Sequence, residues 1–214
     1  IEDPRDPWTV TEFGIGLGVS FHDVRTSGDV GFFSSDGEGT FVVDISDPFD
    51  PQELARVSSA TQGLDSVTNA AIYDQFLLQV SATSAEIAVT DISNTSQPQF
   101  ATTIDTGDSV GIYDVTVVDD RLYAAGLGGP TGLGATYIYD LSKLDADGPV
   151  KIGEVPTGVD TSSVWPSADH SKLMVTHRKA GGGVAAWDIS DLGEPQLVDA
   201  ADATDFGINA YSAG

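Results

Sequence analysis

The chain has 214 residues, no cysteine, and 33 acidic side chains against nine basic ones, for a formal charge of -24. That balance excludes nucleic acid as a partner, because a polyanion is bound by a basic face that displaces its counterions, and the missing cysteines exclude disulfides and thiolate metal sites. No run approaches the ~20 apolar residues of a transmembrane helix, while 40% hydrophobic content with 24 glycines and 10 prolines suits a packed all-β core.

The opening IEDPRDPWTVTEF matches ISDPFDPQELARV further on, so Ile1 corresponds to Ile45 and the chain is expected to begin inside a repeat, on an outer strand. HDVRT then alternates as an innermost strand, Ser27-Gly28-Asp29 turns, and VGFFSS forms a second strand. After the DGEG turn, TFVVDIS is a third strand ending at Asp44, and DPFDP bends the chain into ELARV, an outer edge strand. The same order returns in AIYDQFLLQVSATSAEIAVTDIS, in DVTVVDDRLYAAGL with ATYIYDLS, and in VWPSADHSKLMVTH with GVAAWDIS. FGINAYSAG re-enters an inner strand and stops. No segment has a helical period; residues 61–67 and 199–206 are expected to hold single turns.

The stem Asp-Ile/Leu-Ser thus stands at Asp44, Asp91, Asp140 and Asp188, at intervals of 47, 49 and 48 residues. Proline follows seven residues later at Pro51, Pro98 and Pro195, and nine later at Pro149. A β-rich period in the forties predicts an all-β fold, a β-propeller of four-stranded blades. The repeats run approximately 1–44, 45–91, 92–140, 141–188 and 189–214, the last incomplete. About four and a half repeats predict part of a larger ring, completed by the remainder of a longer chain or by another protein chain. Each repeated Asp is expected to cap its turn, its carboxylate accepting backbone N–H groups.

The strings FVVDISDPFDPQEL and VAAWDISDLGEPQLV resemble the LVIVD-repeat family, whose signature is an apolar strand, Asp-Val/Ile-Ser and a proline-containing turn. The second copy departs with Asn94 and Thr95 in place of Asp-Pro, and the third with the longer LSKLDADGP. The resemblance implies a propeller on a secreted or cell-surface protein, with no assigned activity and no catalytic residues. More distantly, the blades are similar to the selenium-binding protein and methanethiol oxidase group, which binds metal through histidines. The bias of 26 Asp over 7 Glu, with only four Lys, is haloarchaeal-like: molar salt screens the self-repulsion of such a surface. An ordinary acidic extracellular domain is the other reading of this composition.

Aligned by repeat, His22, Asn69, Tyr113, Ser163 and Asn209 open the inner strands, where blades converge on the channel mouth. His177 ends a second strand beside Arg178 and Lys179, scarce cations expected at the same mouth. His22, Asn69, Tyr113, His177 and Asn209 are therefore the candidate ligand-binding residues. His22 and His177, with Asp23 or Asp114, are the only candidate metal set, and three histidines in all are few for a catalytic site. His170, in ADHSK, is expected to be exposed. The cluster GLGGPTGLG at 126–134 lacks the Lys-Ser/Thr and helix of a phosphate loop, so it reads as a loop over the mouth. No cofactor is implied, and no nucleophile elbow is present. The sequence favours a non-catalytic module binding protein, glycan or a small polar ligand over the alternative, a metal-assisted oxidase or hydrolase using the channel histidines.

Overall fold

The computed structural model of the protein describes residues 19–107, 110–128, 133–145, 148–178, 182–202 and 205. Their strands form four four-stranded antiparallel sheets, each following the chain from inner to outer edge. Blade one comprises β1 (Phe21–Ser27), β2 (Val30–Ser35), β3 (Gly39–Asp44) and β4 (Gln52–Val57). Blade two comprises β5 (Asn69–Tyr73), β6 (Phe76–Ser81), β7 (Ser84–Asp91) and β8 (Gln99–Asp105). In blade three they are β9 (Gly111–Val118), β10 (Arg121–Leu127), β11 (Thr136–Asp140) and β12 (Val150–Val155). In blade four they are β13 (Thr161–Pro166), β14 (Lys172–His177), β15 (Val184–Asp188) and β16 (Gln196–Ala201). The repeats counted from one stem Asp to the next are therefore offset from the sheets, because the stem lies between third and fourth strands. A single 3-10 turn, Ala60–Gln62, stands in the first connection between blades. The segments 1–18 and 206–214, including Asn209 and the expected opening strand, lie outside the described residues.

The stem explains itself physically. Asp44, Asp91, Asp140 and Asp188 each accept, through Oδ1, the backbone N–H two residues on, at 2.9, 2.8, 2.9 and 3.0 Å. The residue after each Asp donates its own N–H back to the turn between first and second strands: Ile45 to Asp29, Ile92 to Gln75, Leu141 to Asp120, Ile189 to Ser171. One short motif thereby ties both turns of a blade end together. Its apolar side chain then reaches the preceding blade, Ile92 packing in one cluster with Phe32, Leu141 with Leu78, and Ile189 with Tyr123. Such contacts, removing apolar surface from water between successive blades, hold the array in line.

Registers across the sheets make the blades superposable. The position opposite the stem Asp on the second strand is Val30, Phe76, Arg121 or Lys172. Two residues further, on the face toward the next blade, stand Phe32, Leu78, Tyr123 and Met174. The first three are at most 1% exposed, whereas Met174 is 49% exposed and its cross-strand neighbour Trp165 52%. On blade four this face is therefore about half exposed at Met174 and Trp165, where the counterparts of Met174 are buried against a following blade.

Candidate functional site

Three of the four inner strands begin with an irregularity. In blades one, three and four the ladder skips one residue, His22, Tyr113 and Ser162 respectively. In blade two Thr68 holds that place, its N–H donating to Val80 O at 2.9 Å. An unpaired residue of this kind bends the strand and re-aims its side chain; His22, Thr68, Tyr113 and Ser162 hold equivalent positions at the starts of the four inner strands, with Thr68 bonded to Val80 O and Tyr113 O and Ser162 to Thr176. Asn69 and Ser163 fall one position later, in register with Asp23 and Asp114. The alignment by sequence placed Asn69 and Ser163 with His22 and Tyr113, and the structure corrects it by one residue. A one-residue slip changes which face a side chain serves, and a bulge leaves no mark in a sequence.

The second ring of positions stitches blade to blade. Asp23 Oδ2 accepts the Ala70 N–H at 3.1 Å, and Asp114 Oδ2 accepts the Val164 N–H at 3.0 Å. Arg25 donates to Ala70 O at 2.6 Å and to Asn69 Oδ1 at 3.1 Å, and its Nε lies 3.2 Å from Asp23. Thr116, the counterpart of Arg25, donates to Val164 O at 3.3 Å. Asp114 is buried, and burial raises its pKa above the ordinary carboxylate value; the Val164 N–H and the Arg25 charge pull it back. Below these groups Arg25, Ile72, Thr116 and Val117 line a cavity of 290 Å³ along the channel wall. Asn69 is thus a wall residue, held by Arg25.

At the mouth itself the loops between second and third strands supply the remaining groups. His22 Nε2 lies 2.7 Å from Asp36 Oδ2 in the loop of its own blade. His177 donates its backbone N–H to Gly183 O at 2.9 Å, across the loop of blade four. Among the described residues no three His, Cys, Asp or Glu side chains gather to hold a metal ion. Arg178 crosses from blade four to blade three, its guanidinium 4.5 Å from the centre of the Tyr113 ring, while its backbone N–H donates to Asp160 O at 2.9 Å. Asp160 Oδ1 in turn accepts the Gly128 N–H at 2.8 Å, so the start of the glycine-rich loop is tied down beside the same mouth. Gly134 closes that loop because a Cβ there would lie 2.0 Å from Val159 O. Lys179 and residues 129–132 lie outside the described residues.

One histidine behaves otherwise than its sequence suggests. His170 sits in the expected turn, yet its side chain is only 18% exposed. Nδ1 lies 2.9 Å from the Tyr123 hydroxyl and Nε2 3.2 Å from Asp119 Oδ2, both in the preceding blade. The signal that could have found it is repeat alignment: Gly28, Asp74, Asp119 and His170 all hold positive φ at the same turn position, and only the last carries a ring long enough to cross to the neighbour.

A family model, described as the LVIVD repeat, matches residues 22–59 and 78–106, which contain the stems at Asp44 and Asp91. Among curated proteins, none matches the sequence. Among solved structures, the Kuenenia stuttgartiensis hydrazine synthase is similar at 19% identity over 89% of this chain and 53% of its own, with a TM-score of 0.63. The Myceliophteria thermophila Cps50 (Swd1) β-propeller domain is similar at 14% identity, over 82% of this chain and 56% of its own, with a TM-score of 0.60. Saccharomyces cerevisiae Sqt1 is similar at 11% identity, over 84% and 46%, with a TM-score of 0.59. These likenesses are of fold, which does not carry function with it. The chain spans about half the length of the structures it matches.

Proposed function

We propose that this β-propeller, which carries LVIVD repeats, is a non-catalytic interaction module of a secreted or cell-surface protein from a high-salt environment. It grips a polar ligand, on a protein or a glycan or free in solution, at the mouth of its channel. The observation that carries the reading is Arg178 over Tyr113, 4.5 Å from the ring centre. On a chain with nine basic residues against 33 acidic ones, a guanidinium is held at the mouth by an aromatic face, its N–H donors directed by the ring plane and available to a carboxylate. The equivalent positions His22, Thr68, Tyr113 and Ser162 contribute polar residues from four blades to this end of the array.

Titration of the protein in molar KCl with glucuronate, and with a peptide ending in a free carboxylate, tests the site. Saturable binding of either probe, weakened ~10-fold or more by Arg178→Ala, is expected, which corresponds to ~1.4 kcal/mol. Binding of neither probe, or affinity unchanged in the variant, overturns the reading. The double change His22→Ala/His177→Ala is expected to leave metal content untouched; loss of a bound metal would replace the module by the metal-assisted enzyme. The high-salt origin is tested separately by thermal melts. The midpoint should rise from dilute buffer to molar KCl, where a Debye length of ~3 Å silences repulsion among the excess negative charges.

A further inference from the structure

At the end of the array opposite the mouth, successive blades leave a groove between the first-to-second-strand turn of one blade and the stem of the next. Between blades one and two Val30 and Phe32 face Ile92, while Ser27, Asp74, Gln75, Ser93 and Thr95 line the rest of the groove. Between blades two and three Leu78 meets Leu141 in the same way. Between blades three and four the corresponding positions become polar together: Arg121 for Val30, Tyr123 for Phe32, and His170 at the turn position that blade two fills with Asp74. Two junctions close without these groups, so the fold does not require them.

Their geometry is that of a prepared surface. The His170 ring stacks on Tyr123 at 6.3 Å and 12°, and is fixed at both nitrogens by the Tyr123 hydroxyl and Asp119. Arg121 lies beside the same phenol. Arg121 and His170 line a cleft of 600 Å³ with Ser171, Ser190 and Leu192, and with the carboxylates Asp169 and Asp191. The carboxylates around it are engaged by their own turns: Asp169 by Ser167 and Ser171, Asp188 by Ser190 and Lys172, Asp191 by the Gly193 N–H. Lys172, the counterpart of Arg121 in blade four, spends its charge on Asp188. Arg121 forms no ion pair among the described residues; it hydrogen-bonds the Tyr123 side chain and stands opposite Asp140, whose carboxyl its charge helps to hold low.

We infer that this cleft is a second ligand site, taking a small oxyanion, a carboxylate or a phosphate, on the Arg121 guanidinium. The fork of N–H donors matches either group in two parallel hydrogen bonds. The His170 imidazole is engaged at both nitrogens and the hydroxyls of Ser171 and Ser190 donate to Asp169 and Asp188, so the Arg121 guanidinium is the group that meets the anion, and Leu192 supplies an apolar floor for a short carbon chain. The site is independent of the mouth, at the other end of the channel and on other residues.

Titration of the full chain in molar KCl with inorganic phosphate and with succinate, followed by amide chemical shifts, is the test. Saturable shifts confined to the turns at 119–121, 169–171 and 189–192 are expected for at least one probe; a response to phosphate alone or succinate alone names the source of the oxyanion. Arg121→Met should lower the affinity ~10-fold or more, while Lys172→Met, which removes a cation already paired, should change it less than ~3-fold. Arg121→Lys keeps the charge without the fork and should fall between them. No saturable response to either probe, or equal losses in Arg121→Met and Lys172→Met, would overturn the assignment.

Discussion

The junction between blades one and two and the junction between blades three and four are built on the same backbone and filled with opposite chemistry. Phe32 closes the first by burying its ring against Leu77, Ala70 and Ile92. Tyr123 closes the second against Val164, Leu173 and Ile189, and carries at its tip a hydroxyl bonded to His170. What the repeat demands is the body of the ring at this position and an aliphatic residue after the stem Asp. The hydroxyl, the imidazole and Arg121 are additions, and additions at one junction among three are where function is to be sought.

The largest expected effect comes from emptying the shared position. Tyr123→Ala and Phe32→Ala should each lower the unfolding free energy by about 3–5 kcal/mol, the usual range for removing a buried aromatic ring, measured by denaturant unfolding in molar KCl. Similar losses at both sites would show that packing, not the polar network, holds the junctions. A loss at Tyr123 much larger than at Phe32 would mean that the network is structural after all. Exchanging the tips is the next test. Phe32→Tyr points a hydroxyl into the groove that Asp74 and Gln75 line and should cost less than about 1 kcal/mol, since those groups can accept it. Tyr123→Phe removes one hydrogen bond and should cost about 0.5–1.5 kcal/mol. His170 sharpens the comparison at the backbone, because its φ is +56° where blade one has Gly28 at +57°. His170→Gly should therefore be more stable than His170→Ala by about 1 kcal/mol, the strain of a Cβ in the left-handed region. Equal stabilities would locate the cost in lost side-chain bonds alone.

The difference between the junctions also marks where the sequence could be read. The stem recurs with its Asp, its aliphatic neighbour and its proline, because a turn capped by a carboxylate is a local device whose residues sit side by side. Strands were legible for the same reason: VGFFSS and FVVD announce themselves by composition, and β2 and β3 stand where the pattern put them. The mouth was only partly legible. His22 and Tyr113 fall on bulges, but Asn69 belongs to the next position, since an extra residue in a ladder is a feature of pairing and not of any one segment. Arg25 and Arg178 gain their importance from Asn69 and Tyr113, roughly a blade or more away in sequence. His170 looked like a surface turn because its partners, Tyr123 and Asp119, lie 47 and 51 residues earlier. Contacts at the distance of one repeat become visible only when the blades are superposed.

The smallest effects are those of single ionisations, and they separate the turn aspartates from the channel carboxylate by sign. Asp44, Asp91 and Asp140 are held below the ordinary carboxylate value by the hydroxyl and then the N–H of the serine two residues on; for Asp188 the Lys172 ammonium is the larger cause. Asp169 is lowered in the same way, to about 2, by Ser167 and Ser171. A depressed folded-state pKa contributes stability that is present above the ordinary value of 3.8 and is lost as pH falls through the folded value. Asp114 runs the other way. Burial raises its pKa, so the folded state takes up a proton before the unfolded chain does, and stability from this group increases as pH falls toward 3.8. Denaturant midpoints in molar KCl should therefore pass from a slight rise to a decline as the pH is lowered from 6 to 2, the decline setting in below about 4, where these carboxylates take up protons in the unfolded chain but not yet in the folded turns. Asp114→Asn keeps an oxygen that can accept the Val164 N–H and removes the ionisation, so the variant should lose the rise and keep the decline. A rise that survives in Asp114→Asn would assign it to another carboxylate and leave Asp114 as a blade-to-blade fastener only, while midpoints flat down to pH 2 would mean that the stem aspartates do not hold their turns by charge.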